Sequence, residues 1–275
     1  KAWWPQPESV LSDQNADSSM ATAKPQHTVS NAALVSHQSQ PRQIAIIGAG
    51  IAGLSCAWAL AQHGHFVHIY DQSGPLAGAS GNPLALLNPK LSPAETAPYH
   101  LMTMSWQYAM RHYPRFNAFR PLAIHQVLLK KAEDQFTLVA QYPEGLLTTA
   151  SETLLSDMPQ MTLTQAGAVQ PHVLKDEILA HNHIQWIQAE ISKIESLDDG
   201  QIQLHSTDLQ PADLEKRFDH VVVCAARNST QFFQYYPVLR PIRGQVSWLN
   251  NSNSSQRLNP HEAYSYGGYC MQLDA

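Results

Sequence analysis

The sequence predicts an α/β fold: a Rossmann-like, doubly wound nucleotide domain on a parallel sheet, with an inserted, mostly β region. Three observations predict it. Residues 43–71, QIAIIGAGIAGLSCAWALAQHGHFVHIYD, read as strand, glycine-rich turn, helix and second strand. His220 to Ala225, HVVVCA, has the unbroken apolar character of a strand buried on both faces of a parallel sheet. Between them lies a long stretch in which strand-like runs predominate, and more strand-like sequence follows.

The first unit is the most informative. Ile44-Ala45-Ile46-Ile47 leads straight into Gly48-x-Gly50-x-x-Gly53, an alanine-rich helical segment runs from Leu54 to Gln62, and a second apolar run from Phe66 to Tyr70 ends at Asp71. Gly48 permits a tight strand-to-helix turn, Gly50 lets backbone approach a pyrophosphate, and Gly53 lets the helix pack on the strand. The free N–H groups and positive end of that helix face the phosphates. Asp71, about 20 residues on, stands where a carboxylate accepts hydrogen bonds from a ribose. The motif alone does not choose between NAD and FAD.

After Asp71 comes a long turn-rich segment, Gln72 to Pro98, containing Gly78-Ala79-Ser80-Gly81-Asn82; irregular loops of that length in a compact domain are usually functional. A helix is expected from Tyr99 to Tyr113, its Met, Trp and Tyr residues mostly packing in the core. Strands are expected at Ala123–Leu129, Ile184–Ile194 and Gln201–His205, a short helix around Lys175–His181, and a strand at Val246–Leu249 introduced by Arg240-Pro241-Ile242-Arg243-Gly244-Gln245. Residues 1–40, rich in Ser, Gln, Ala, Asn and Pro, read as a linker or arm. Its Trp3-Trp4-Pro5 is a segment expected to dock on a domain surface.

Composition narrows the class. A chain of 275 residues with 44% hydrophobic and 14% charged residues suits a globular protein with a sizeable core. A net charge of −5 gives no global electrostatic case for nucleic acid or anionic membrane. No apolar run reaches the roughly 18 residues that span a bilayer. The three cysteines, Cys56, Cys224 and Cys270, are dispersed and odd in number, which argues against a disulfide framework and fits a reducing cytoplasm. His63, His65 and His68 cluster, as do His181 and His183, but without partners at a metal-ligand spacing, so they are expected to be solvated surface residues and no metal is expected. No signal-peptide pattern is present, and the chain is expected to be incomplete at both ends.

At this point the residues resemble a family. GAGIAG with Asp71, then GASGN, HVVVCA and RPIRGQ, is similar to the superfamily of FAD-dependent amine oxidases that includes D-amino-acid, glycine and sarcosine oxidases. Within it, Gly78–Asn82 followed by Pro89, the segment Arg243-Gly244-Gln245-Val246-Ser247, and the Trp-Trp-Pro arm resemble the C-terminal oxidoreductase modules of bacterial bifunctional tRNA-modifying enzymes. The resemblance covers roughly residues 43–270. The sequence departs from the pattern at Ala225-Ala226-Arg227, where many relatives carry Ala-x-Gly, and at Ala85 and Asn88.

The resemblance implies a glycine oxidase-like fold, C-terminally truncated: residues 1–40 as arm, 41–98 and 165–240 as the FAD-binding domain, 99–164 and 241–275 as an incomplete substrate domain. It implies FAD at Gly48, Gly50, Ile51, Ala52, Gly53 and Asp71, with Ser80 and Asn82 near the phosphates or ribityl chain and Arg243 and Gln245 near flavin or substrate. It implies oxidative removal of the carboxymethyl group from 5-carboxymethylaminomethyl-2-thiouridine at the tRNA wobble position, releasing glyoxylate, with a linked methyltransferase domain acting next. No catalytic acid or base is singled out. For tRNA the sequence offers Arg111, Arg115, Arg120, Lys130 and Lys131, in a stretch from Thr96 to Ala132 without a single acidic residue, interleaved with aromatics. Two other readings stand beside this: a small-molecule amine or amino-acid oxidase, and a truncated, non-catalytic flavin-binding fragment.

Overall fold

In the computed structural model the described residues are 40–128, 132–150, 158–233, 239–240, 242, 244–249 and 258–273. The arm expected at 1–40, Lys130, Lys131 and Arg243 therefore lie outside the described residues, apart from Gln40.

The glycine-rich unit folds as the sequence predicts. β1 (Gln43–Ile47) is followed by α1 (Ile51–Gln62) and β2 (Phe66–Asp71). β1 pairs in parallel with β2, Ile46 opposite Ile69, and on its other side with β10 (His220–Val223), Ile46 opposite Val222. β7 (Ile184–Gln188) adds to β2, again parallel, giving the order β10-β1-β2-β7. Leu54, Ala57 and Ala61 of α1 recur at helical spacing and are buried against this sheet beside Ile46, Val67 and Ile69. α4 (Pro171–Leu179) covers the same face through Leu174 and Ile178. It begins at Pro171, before the expected Lys175, because a proline suits the first helical position, where no N–H is needed.

The other face of this sheet departs from the doubly wound expectation. It is covered by a two-stranded hairpin, β8 (Lys193–Ser196) and β9 (Ile202–His205), rather than by helices. Leu204, Leu209 and Phe218 pack there against Ala45, Ile47 and Tyr70. The cause is local: Asp198-Asp199-Gly200 makes the turn, Gly200 adopts φ +81°, and Leu197 N–H reaches Gln201 O. The strand expected at Ile184–Ile194 is accordingly split, with buried Ala189 and Ile191 carrying the chain from one layer to the next.

The second sheet is mixed. β4 (Phe119–Val127) pairs antiparallel with β6 (Gln160–Val169), which also carries β3 (Ala85–Leu86) and β5 (Leu147–Ala150); β11 (Glu262–Ser265) runs parallel to β4, and β12 (Tyr269–Met271) completes the order β12-β11-β4-β6-β3. α2 (Leu101–His112) and α3 (Ala132–Val139) belong to this part of the chain, and Trp106 and Leu122 share its core with Leu163. α5 (Pro211–Leu214) is a single turn near β9. The strand expected at Val246–Leu249 is not formed: those residues lie outside regular structure, with Leu249 91% exposed. Phe116, Ala118 and Val169 join the core under α1, so the ends of β4 and β6 are anchored beside the nucleotide unit.

Candidate nucleotide-binding site

The turn from β1 into α1 is held by contacts that leave no room for side chains. Gly48 has φ +107°, and a Cβ there would lie 2.4 Å from Cys224 O. A Cβ on Gly53 would lie 1.9 Å from Gly48 O, so Gly53 sets how closely α1 sits on its own turn. Gly48 N–H donates to Tyr70 O (2.7 Å), and Leu76 N–H donates to Ala49 O (3.0 Å). Leu76 is buried with φ +62°, a left-handed conformation that costs a leucine about 1–2 kcal/mol. The loop is thus pinned over the turn at an energetic cost.

Asp71 is the organising charge. Its Oδ2 accepts from Ala49 N–H (2.9 Å), and its Oδ1 accepts from Ser73 N–H (2.9 Å) and Gly74 N–H (3.1 Å). A carboxylate offers about four acceptor positions. Three are taken by backbone, which leaves one on Oδ2 for a ligand hydroxyl. Ser80 approaches from the long loop: its Oγ accepts from Ile51 N–H (3.0 Å) at the first turn of α1. Gly50, as N-cap, has no side chain to do this.

These groups open on a cavity of about 570 Å³. Of the residues singled out in the sequence, Gly48, Gly50, Ile51, Ala52, Asp71 and Ser80 line it; Gly53 stands behind the turn, and Asn82 is half-buried away from the wall. Gln245 is exposed and does not reach the cavity. Among the described residues the basic side chains singled out in the sequence differ in their surroundings. Arg111 and Arg115 are exposed, whereas Arg120 donates to the carbonyls of Gln272 and Leu273.

The sequence did not disclose the opposite wall. It is formed by Ala189, Glu190 and Ile191, where the chain leaves the sheet, and by Cys224 to Ala226 after β10. Ala226 has φ +48°, beside the position where glycine is usual among the proteins the sequence resembles. Cys224 faces Cys56 of α1, and the hydrogen bond between the two thiols lowers the Cys56 pKa while raising that of Cys224. Tyr70 packs edge-on against Phe218, and its buried hydroxyl has no hydrogen-bond partner among the described residues; burial, helped by the Asp213 carboxylate, raises its pKa. Of the histidines expected at the surface, His63 is exposed, whereas His65, His68, His181 and His183 are half-buried, His68 against Phe218 and His183 against Phe66.

A glycine-lined turn, a helix N-terminus and a carboxylate at the tip of the second strand converge on one cavity, the donor set a dinucleotide needs. The sequence matches the FAD dependent oxidoreductase family (DAO) over residues 43–272. The chain belongs to that family. It is 44% identical over 252 residues to the tRNA 5-methylaminomethyl-2-thiouridine biosynthesis bifunctional protein MnmC of Acinetobacter baylyi, covering 90% of this chain and 39% of that protein. It is 35% identical over 268 residues to the protein of the same name from Psychrobacter cryohalolentis, covering 90% and 38%. The chain thus spans about two fifths of the length of these relatives. Among solved structures, L-amino acid deaminase from Proteus myxofaciens superposes with a TM-score of 0.51 at 15% identity, covering 70% of this chain and 47% of that one, a likeness of fold alone. No helix among the described residues is long and apolar enough to cross a membrane.

Proposed function

We propose that this chain is a cytoplasmic FAD-dependent oxidoreductase module acting on the CH–NH bond of 5-carboxymethylaminomethyl-2-thiouridine at the tRNA wobble position. The products are the aminomethyl nucleoside and glyoxylate, and a methyltransferase domain of the longer protein methylates the amine. The observation that carries this reading is the 44% identity to a bifunctional protein of that name, extending over 90% of a chain whose nucleotide cradle is intact.

The residues suit the cofactor. Gly48, Gly50, Ile51, Ala52 and Gly53 would receive the pyrophosphate, the spare acceptor position of Asp71 a ribose hydroxyl, and Ser80 the phosphate edge nearest Ile51 N–H. Asn82 retains a proposed place near the phosphates or the ribityl chain, and Arg243 and Gln245 one near flavin or substrate, on the strength of their motifs. FAD, when bound, supplies the two-electron acceptor for an amine oxidation whose imine product water hydrolyses. The protein's own part is to fix the nucleotide end of the cofactor: the helix N-terminus offsets phosphate charge, and the crowded turn keeps the N–H groups aimed. The FAD-binding part is proposed to comprise residues 41–98 and 165–240, and the substrate part residues 99–164 and 241–275.

The test is glyoxylate release by the flavin-loaded protein from tRNA bearing the carboxymethylaminomethyl group, set against free glycine and sarcosine. Release from tRNA alone supports the reading. Turnover of the small amines without tRNA turnover replaces it with a small-molecule oxidase, and absence of a flavin absorbance in the purified protein removes both.

A further inference from the structure

Helix α2 turns an apolar stripe to solvent. Leu101 is 76% exposed, Met102 50% and Tyr108 58%, and Tyr99 in the preceding 3-10 turn is 90% exposed. The helix is nonetheless docked, because Thr103 and Trp106 on its other side are buried. Leu101, Met104, Tyr108 and Arg111 follow one another at helical spacing, so they form one line along the surface. An exposed apolar line of this kind on a packed helix marks a contact surface.

Its chemistry selects the partner. The line runs into a cluster of rings and guanidinium: the Tyr108 ring stacks on His112 with centroids 5.4 Å apart and planes 18° apart, His112 meets Trp58 of α1 edge-on at 5.2 Å, and the Arg115 guanidinium carbon lies 4.9 Å from the Trp58 centroid. Arg111 and Arg115 are both exposed. Residues 96–132 hold no carboxylate, although the whole chain carries a net charge of −5. An apolar protein partner would be served by Leu101, Met102 and Met104 alone. Flat exposed rings beside arginines, on a stretch of chain with no carboxylate of its own and with Glu177 of α4 engaged by the N–H groups of Asn117 and Ala118, suit a polyanion that also presents flat faces.

We propose that the line from Tyr99 to Arg115 is a docking surface for single-stranded RNA, with nucleobases stacking on Tyr99 and Tyr108 and phosphates meeting Arg111 and Arg115. The proposal rests on the tRNA reading above and gives it a place on the protein. Anisotropy of a short fluorescein-labelled oligouridylate and of whole unmodified tRNA is measured with the full chain and with two double variants. Tyr99→Ala with Tyr108→Ala is expected to weaken oligouridylate binding about tenfold or more. Arg111→Gln with Arg115→Gln is expected to flatten the dependence of log affinity on log salt by about 1.4, two single-strand phosphate contacts. Flavin absorbance of both variants shows that they fold. Unchanged RNA affinity in both variants, while the parent protein still releases glyoxylate from tRNA, overturns the surface and leaves the function standing. A parent protein that binds neither RNA and oxidises only small amines overturns both. A loss of self-association in the tyrosine variant, with RNA affinity unchanged, overturns the surface in favour of a second copy of this chain.

Discussion

The side-chain oxygen of Ser80 lies 3.0 Å from the backbone nitrogen of Ile51, so a residue of the long loop caps the first turn of the cofactor helix from a distance. Removing it in Ser80→Ala should cost the cofactor-free protein about 1 kcal/mol, the usual worth of such a cap. A phosphate oxygen at the same N–H would take over that duty. The destabilisation should therefore shrink when thermal unfolding is repeated with FAD present. Equal losses with and without FAD would show that the phosphate does not use this N–H.

Asp71 is predicted to be irreplaceable by its amide. An asparagine side chain there would keep one acceptor oxygen and turn an NH2 group towards backbone donors, leaving at least one of the N–H groups of Ala49, Ser73 and Gly74 without its partner. Each such loss costs about 1–3 kcal/mol. Asp71→Asn should lower FAD affinity at least tenfold in a flavin fluorescence titration and should also lower thermal stability. A loss of affinity with stability unchanged would mean that the carboxylate serves the ribose alone.

Ala226 and Gly48 make opposite predictions about the same wall. Ala226 sits at φ +48°, so Ala226→Gly should stabilise the protein by about 0.5–1 kcal/mol in chemical denaturation. Gly48→Ala, whose new carbon would fall 2.4 Å from Cys224 O, should abolish flavin retention.

Acid should weaken the fold before its carboxylates titrate. Burial, helped by Arg115, lowers the His112 pKa, and burial lowers that of His68. Both rings are neutral in either state above their unfolded value near 6.5, so they add no pH dependence there. As pH falls below about 6.5 the unfolded chain takes up protons that the folded chain refuses, and stability drops until the folded pKa values are passed. The denaturant midpoint should fall between pH 7 and pH 5.5, and His112→Phe, which fits among Trp58, Tyr108 and Phe116, should reduce that fall.

The thiol pair offers a separate check. With its pKa lowered by the Cys224 thiol, Cys56 should be alkylated by iodoacetamide at pH 7 faster than Cys224 or Cys270, whose thiols are pushed up. Cys224→Ala should slow Cys56 to an ordinary rate, as read by peptide mass spectrometry.

Where the chain's chemistry is local, the sequence was legible. Gly50, Gly53 and Asp71 announce themselves because each is demanded by groups within about 30 residues of it, Gly48 is legible from the motif although its crowding comes from Cys224, and Ser80 was singled out by its glycine-rich surroundings. β6 escaped notice because Ala166, Gly167 and Ala168 carry no β-branched signal; at Gly167 the Phe119 ring lies across the backbone, 2.2 Å from where a Cβ would be. The hairpin over the second face was signalled by Asp199-Gly200, yet the apolar residues recurring from Ile184 to Ile194 without a Gly or Pro between them concealed the break before it. The wall from Ala189 to Ile191 could not be read at all, since it is made by where the chain crosses between layers and not by what its side chains are. The helix expected to bury its rings does so for Trp106 and His112 and in part for Tyr113, whereas Tyr99 and Tyr108 face solvent.

Both sheets depend on partners far along the chain. Gln43 N–H reaches Asp219 across 176 residues, and Arg120 reaches the carbonyl of Leu273 across 153. During synthesis the glycine-rich unit therefore emerges with one flank of its central strand bare, and β4 waits in the same way for β11. Separations this long slow folding and prolong the exposure of unpaired strand edges. The interval between making the cradle and completing its sheet is the period when this chain most needs protection from aggregation.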